Sequence, residues 1–168
     1  DIIACISLYR PGPMDSIPRY IQGKRDANSV KYLDPRLEPI LKVTYGCMVY
    51  QEQVMQIVRD LAGYSLGRSD LMRRAMAKKK RDVMAKEREY FIDGMTDEAG
   101  NVVIDGAVRR GVPREVAEKI FDEMSAFASY AFNKSHAAAY AMVAVQTGWL
   151  KRHHPVPFMA ATLNSMMD

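Results

Sequence analysis

Seven basic residues crowd into the run from Arg68 to Arg81 (Arg68, Arg73, Arg74, Lys78, Lys79, Lys80 and Arg81), with Asp70 the single acid among them. A core cannot accept such a run, because unpaired buried charge costs far more than packing returns. The stretch must lie on the surface, and its apolar residues say how. On a helical wheel Leu71, Met72, Ala75, Met76 and Val83 fall on one side, while Arg74, Lys78 and Arg81 follow at i, i+4 and i+7 on the other. The pattern predicts an amphipathic helix, capped by Ser69 or Asp70 and continuing to Tyr90. Two readings of its charged face stand. One is a solvated surface, the commoner meaning of a charge run; the other is a platform for a phosphate-bearing partner, which would offset the mutual repulsion of the cations.

The whole chain of 168 residues carries a net charge of only +4, less than this run alone, so the positive charge is local. With 48% apolar and 26% charged residues, the composition is that of a globular domain with a real core. No apolar run approaches the roughly 18 residues of a membrane span, so no membrane partner is expected. The start, Asp1-Ile2-Ile3-Ala4-Cys5, has no initiator methionine and no basic lead into an apolar stretch, and the expectation is a cytoplasmic piece of a longer protein. Cys5, Cys47 and the three histidines lack metal-ligand spacing, so no metal or cofactor is expected on the chain itself.

Along the chain, residues 7 to 18 hold three prolines and a glycine and predict a stiff irregular loop, with a short helix starting near Ile17. A second proline-punctuated connector follows from Lys31 to Pro39. Val43 to Tyr50 is β-branched and aromatic and predicts a short strand or extended turn. Gln51 to Ala62 then places Val54, Ile57, Val58 and Leu61 at i, i+3, i+4 and i+7, with Gly63 as the left-handed residue that ends the helix. Between Gly94 and Val112 four glycines surround Val102-Val103-Ile104, a small hairpin or surface excursion. Pro113 at a first helical position opens a helix with Val116, Ile120, Met124 and Phe127 inward. Ser135 starts another, from His136 to about Arg152, whose alanines Ala137, Ala138, Ala139, Ala141 and Ala144 admit a close neighbour. Pro155 and Pro157 stop it, and a helix restarts over Phe158 to Met166. The expected class is mainly α, an irregular multi-helix domain with a minor β hairpin or short extended element. Residues 1–50 form a loop-rich lead-in and 51–168 a helical body. The twelve methionines read as gap-fillers of that core.

Nucleotidyl transfer on two metal ions needs convergent carboxylates. The adjacent acids Asp97-Glu98 and Asp122-Glu123 read instead as solvated surface, and no phosphate-cradling glycine loop or nucleophile context occurs. No catalytic residue is assigned. Phe132 to Tyr140 is the second unusual stretch. Lys134, Ser135 and open backbone N–H groups collect at a helix N-terminus, and His136 and Tyr140 share a face where they can stack on a ligand or serve as ordinary structural groups.

Leu8-Tyr9-Arg10-Pro11-Gly12-Pro13-Met14, Thr44-Tyr45-Gly46, Tyr50-Gln51-Glu52-Gln53-Val54-Met55, Leu61-Ala62-Gly63-Tyr64-Ser65-Leu66-Gly67, Leu71-Met72-Arg73-Arg74-Ala75-Met76 and Phe132-Asn133-Lys134-Ser135-His136-Ala137-Ala138-Ala139-Tyr140 occur in this order. Together they resemble the C-family replicative polymerases of bacteria, the alpha-subunit family of DNA polymerase III, nearly end to end. The resemblance implies the fingers domain of a DNA-directed DNA polymerase, with its catalytic aspartates and Mg2+ in a palm outside this chain. It implies deoxynucleoside triphosphates, primer-template DNA, the palm and thumb of the same polypeptide, and replisome subunits such as the sliding clamp as partners. By the family's pattern Arg73 and Arg74, with Lys78, contact the triphosphate. Lys79, Lys80, Arg81, Lys134, Ser135, His136 and Tyr140 are the implied contacts to DNA or phosphate. The chain departs from the family in having Ala77 and Ala131 where glycine is common, and Ala77 makes the basic helix stiffer. The rival reading is a free-standing basic helical module that binds nucleic acid without catalysis. Because no metal-holding carboxylate pair is present, the chain by itself is expected to incorporate no nucleotide. A primer-extension assay with magnesium checks this; template-dependent extension above a heat-killed control refutes it.

Overall fold

The computed structural model describes residues 1–77, 81–128 and 130–167. The long helix α4, Gln51–Ala62, is the centre. Its predicted stripe is fully used: Val54, Ile57, Val58 and Leu61 are all essentially inaccessible to solvent. Gly63 ends it with φ of 78°, a left-handed turn that costs glycine nothing. Around it pack α5 (Leu66–Ala77), α6 (Arg81–Asp93) and α7 (Arg114–Ala128). They contribute Met72 and Met76, Phe91 and Ile92, and Ala117, Ile120, Phe121 and Met124 to one continuous core. Val116 and Phe127, the outer members of the predicted α7 stripe, pack against its edge.

The basic run is not one helix continuing to Tyr90. Arg68 donates from Nη2 to Glu87 Oε1, and the Tyr64 hydroxyl donates to Glu87 Oε2 at 3.1 Å. Residues 68 and 87 on a single straight helix would stand about 28 Å apart, so α6 must double back along α5. The start also differs. Helix α5 begins at Leu66, where the Ser65 hydroxyl accepts the Arg68 N–H at 3.2 Å, so neither Ser69 nor Asp70 is its cap. Ser69 is buried and its hydroxyl bonds back to Leu66 O at 2.7 Å. Of the expected apolar side, Met72 and Met76 are buried while Leu71 is 57% exposed. One α4 neighbour leaves room for only part of the stripe.

No strand forms over Val43–Tyr50. Lys42–Thr44 is a 3-10 turn, Tyr45 and Gly46 both have positive φ, and the only pairing there is a single bridge from Tyr50 to Phe132 among the described residues. The cause is Gln53 in the first turn of α4. Its Oε1 accepts the N–H groups of Val49 and Tyr50, both at 2.9 Å, and its Nε2 donates to Ile40 O at 3.2 Å and Thr44 Oγ1 at 2.8 Å. A buried side chain that takes these main-chain donors leaves no ladder to build.

The predicted hairpin exists as β1, Met95–Thr96, antiparallel to β2, Val102–Ile104. The chain beyond it is no surface excursion. Gly106, Ala107 and Val108 donate their N–H groups to Ala62 O, Phe91 O and Ile92 O, and Ile104, Ala107 and Val112 enter the core. At Gly106, with φ of +83°, a Cβ would meet Gly94 N at 2.4 Å, so two backbones cross where only glycine fits.

The first segment is more helical than expected, with α1 (Ile2–Leu8), α2 (Ile17–Arg25) and the single turn α3 (Glu38–Leu41). Helix α1 packs on α8, Lys134–His153; Ala4 and Leu8 are buried on α1, Ala137 and Ala141 on α8, and Leu8 also joins Cys47, Val49 and Tyr50 in a second small core. Ala139 and Ala144 are exposed. Pro155 opens α9, Pro155–Ser165, instead of merely ending α8, since a proline in a first turn has no N–H to lose. Pro113 lies just before α7, its carbonyl accepting the N–H groups of Val116 and Ala117. The architecture is mainly α with a two-stranded antiparallel sheet.

Burial and the Glu87 carboxylate hold the Tyr64 phenol far above its ordinary range, so it stays neutral in the fold. A raised folded pKa gives stability that is complete below the unfolded value and is lost as pH rises through the folded one. Above about pH 10 each further unit should therefore remove up to about 1.4 kcal/mol through Tyr64 alone. Tyr64→Phe is expected to flatten this alkaline decline while costing about 1 kcal/mol at neutral pH. Urea unfolding between pH 8 and 11 measures it; parallel declines in parent and variant contradict the assignment.

Candidate functional site

Because Met72 and Met76 fix the inward face of α5, Arg73 must emerge on its flank and Arg74 on the opposite, outward side. Arg73 is the more enclosed, its side chain 24% exposed against 64% for Arg74. Both are held by Asp70, one turn earlier. Asp70 Oδ1 accepts from Arg73 Nε at 2.9 Å and Nη2 at 2.7 Å, and Asp70 Oδ2 accepts from Arg74 Nε at 2.8 Å. The Arg73 hydrogen bonds, followed by the charges of both guanidiniums, hold the Asp70 carboxyl below the usual carboxylate range. Arg68 plays a different part. It is spent on the buried Glu87 and stands over the Tyr90 ring at 5.5 Å, so it belongs to the fold and not to the charged face.

A second partner of Arg73 joins two distant parts of the sequence. Arg73 Nη1 donates to Gln51 Oε1 at 3.1 Å, while Gln51 Nε2 donates to Ala131 O at 3.1 Å and Gln51 N to Phe132 O at 3.0 Å. Phe132 N returns to Val49 O at 3.2 Å. The first residue of α4 thereby ties the basic helix to the segment that opens α8. The basic run and the Phe132–Tyr140 stretch, unconnected in sequence, meet at this joint.

Helix α8 starts at Lys134, and its cap is Asn133 instead of Ser135: Asn133 Oδ1 accepts the His136 N–H at 2.8 Å. The Lys134 N–H, expected to be open to an anion, is taken by Glu52, whose two oxygens lie 3.1 and 3.2 Å away. The helix terminus thus already holds a carboxylate of the protein. The Lys134 ammonium lies 5.5 Å above the Tyr50 ring. Ser135 is exposed. The His136 ring stands between Phe132, at 5.5 Å, and Tyr140, at 4.7 Å, and Tyr140 is 57% exposed. On Phe132 rests the Arg10 guanidinium, 4.6 Å from the ring centre, which also bonds Ser7 O at 3.0 Å and Tyr130 O. A row of Arg10, Phe132, His136 and Tyr140 results, with π-faces and a cation of the kind that stack on bases.

Arg73, Lys134, His136 and Tyr140 are therefore brought to, or next to, one junction, with Arg74 on its outer side. Lys78, Lys79 and Lys80 lie outside the described residues, as does the side chain of Arg81, whose backbone opens α6. Arg10, Gln51, Glu52, Asp70 and Phe132 were not legible as members of the site. Arg10, Gln51, Glu52 and Phe132 sit inside the quoted motifs but in no charge cluster, and Asp70 lies within the basic run itself; the hydrogen bonds and ring contacts of the fold reveal them.

Among the described residues no three of His, Cys, Asp and Glu converge as a metal site. The adjacent acids are committed elsewhere: Asp97 accepts from Asn101 and Ala99, which lowers its pKa, and Asp122 pairs with Arg88. The described residues do not fit a two-magnesium centre. No described helix is long and apolar enough to cross a membrane. A separate cavity of about 410 Å³, between the Gly12–Ser16 turn and α7, sets Asp15 and Glu123 beside Arg19, and those acids disfavour a phosphate there.

Asn133→Ala should destabilise the protein by about 0.5–2 kcal/mol through loss of the α8 cap, and Asn133→Asp should retain most of the stability. Denaturant midpoints of the two variants and the parent test the cap; an unchanged midpoint in the alanine variant would show that the α8 start is held by other contacts.

Residues 1–99 match the sequence profile of the bacterial DNA polymerase III alpha subunit finger domain. Over its full length the chain is similar to the DNA polymerase III subunit alpha of Xylella fastidiosa, with 55% identity over 168 residues, and to that of Neisseria meningitidis serogroup A, with 51% over 168 residues. The Thermus aquaticus protein of the same name is 51% identical over 169 residues, covering 98% of this chain. The chain spans only 13 to 14% of the length of these curated relatives.

Proposed function

The chain belongs to the bacterial DNA polymerase III alpha subunit finger-domain family, and from that premise we propose that it binds the triphosphate of an incoming deoxynucleotide for a DNA-directed DNA polymerase. In this reading residues 1–168 work as one fingers segment of a larger replicative enzyme. The polymerase's Mg2+ and catalytic aspartates belong to a palm outside the segment, and the metal's task there is to stabilise the attacking and leaving oxygens. This chain supplies positioning and positive charge.

The observation that carries the reading is the joint at Gln51, which fixes a guanidinium of the basic helix against the loop that opens α8. An arginine anchored at Nη1 by Gln51 presents its remaining donors in a fixed direction and keeps its charge at any working pH, which suits phosphate oxygens. Arg73 is the anchored member and Arg74 the exposed one, so on adjacent helical positions they address different parts of the phosphate chain. Lys78 joins them on the triphosphate, and Lys79, Lys80 and Arg81 contact phosphates of the primer-template. Lys134, Ser135, His136 and Tyr140 serve the DNA from the α8 side, with the rings of His136 and Tyr140 available for stacking. Palm and thumb of the same polypeptide, and replisome subunits such as the sliding clamp, complete the partners.

Arg73→Ala or Arg74→Ala in the full-length polymerase should each remove a charge-assisted bond worth roughly 1.5–3 kcal/mol, about tenfold to 150-fold in apparent nucleotide affinity. Primer-template affinity should change much less, and lysine replacements should restore only part of the loss. Single-nucleotide incorporation at varied nucleotide concentration, beside a DNA-binding titration, reads both. Unchanged nucleotide dependence together with collapsed DNA binding would mean that the pair grips DNA instead.

A further inference from the structure

The acid at the centre of the basic run has no role in the reading above. Asp70 could have been solvated, yet both of its oxygens are engaged: Oδ1 takes Arg73 Nε and Nη2 at 2.9 and 2.7 Å, and Oδ2 takes Arg74 Nε at 2.8 Å. A carboxylate oxygen that accepts from both Nε and Nη2 of one guanidinium occupies the edge at which a phosphate oxygen would bind the same donors. The same donors cannot serve both. With Asp70 in place the trio carries a net charge of +1; with Asp70 displaced, two full guanidinium charges face the ligand.

We propose that Asp70 is a built-in competitor for the triphosphate, closing on Arg73 and Arg74 when no nucleotide is bound and yielding them when one arrives. The proposal rests on the reading of those arginines as triphosphate contacts. It assigns Asp70 a function in setting affinity and release, and none in holding the ligand. Three observations support displacement over permanent support. Asp70 lies on the same helix as its partners, so the pairs can open by side-chain rotation with no movement of the backbone. Both pairs are accessible, with Asp70 itself 31% exposed, and accessible pairs are weak enough for a more highly charged anion to outcompete. Arg73 also has a second anchor, Gln51 Oε1 at 3.1 Å, which keeps its fork in place after Asp70 lets go.

The consequence is a site whose affinity for triphosphate is deliberately moderate. A replicative site must release pyrophosphate and reject non-matching nucleotides quickly, and a neighbouring carboxylate that recaptures the arginines favours release. If Asp70 instead orients the arginines for the ligand, its removal has the opposite sign.

The test uses the full-length polymerase on a primed template, with single-turnover incorporation measured against deoxynucleoside triphosphate concentration. Asp70→Asn removes the charge and keeps the size, and Asp70→Ala removes the acceptor as well while favouring the helix. Both variants should lower the apparent nucleotide Kd by roughly threefold to tenfold. The gain should shrink at high salt, as screening weakens the competing pairs. Arg73→Ala and Arg74→Ala run beside them. Should the arginine variants weaken nucleotide binding while both Asp70 variants leave it unchanged or weaken it too, the competitor role is wrong and the triphosphate reading stands. Should the arginine variants leave the nucleotide dependence untouched, the triphosphate reading fails and this proposal with it.

Discussion

Burial of the apolar stripe of α4 is the interaction on which everything else depends. Val54, Ile57, Val58 and Leu61 are closed off by α5, α6 and α7 together, and no one of those helices could close them alone. At roughly 1.5–3 kcal/mol for each fully buried aliphatic side chain, this stripe outweighs the few tenths that surface ion pairs contribute. The basic helix therefore cannot choose its own orientation. It is set by Met72 and Met76 meeting α4, and the arginines go where the methionines leave them.

The first turn of α4 then converts packing into a site. Gln51 reaches out to Arg73 and the Ala131–Phe132 backbone, Glu52 to the start of α8, and Gln53 inward to the turn before it. Successive helical residues diverge by about 100°, so three consecutive polar side chains naturally address three different neighbours. Two of the three bonds involve groups that also suit phosphate: a guanidinium and a helix N-terminus. In each case a carboxylate of the chain, Asp70 or Glu52, already sits on the positive group. The electrostatics of the site are a balance of near neighbours, and total charge says little about it.

Where the pattern was one face of one element, the sequence was enough to read it. The α4 stripe, the Gly63 terminus, the inward row of α7 and the small hairpin all follow from local periodicity and turn chemistry. The errors share a cause as well. Val43–Tyr50 read as a short strand or extended turn because its side chains suit either, and only the turn forms, since strand pairing needs free main-chain donors and Gln53 claims them. The basic run looked like one long helix because its apolar residues keep helical spacing as far as Val83. The buried Glu87 that folds it back sits nineteen residues away and carries no local signal.

The residues by themselves determined that this chain is mainly helical and that its positive charge is concentrated in one stretch. These are properties of composition and of spacing within a turn or two, and they do not depend on what packs against what. Only the tertiary structure decided that Arg68 is spent on Glu87 while Arg73 bridges Asp70 and Gln51, and that Gln51 and the Arg10–Phe132 pair lie beside the basic helix. It alone showed that Asp70 and Glu52 stand on the groups an anion would use. Those facts are contacts between residues up to 120 positions apart. Local pattern cannot encode them, because they arise only when burial of the α4 stripe brings the helices together.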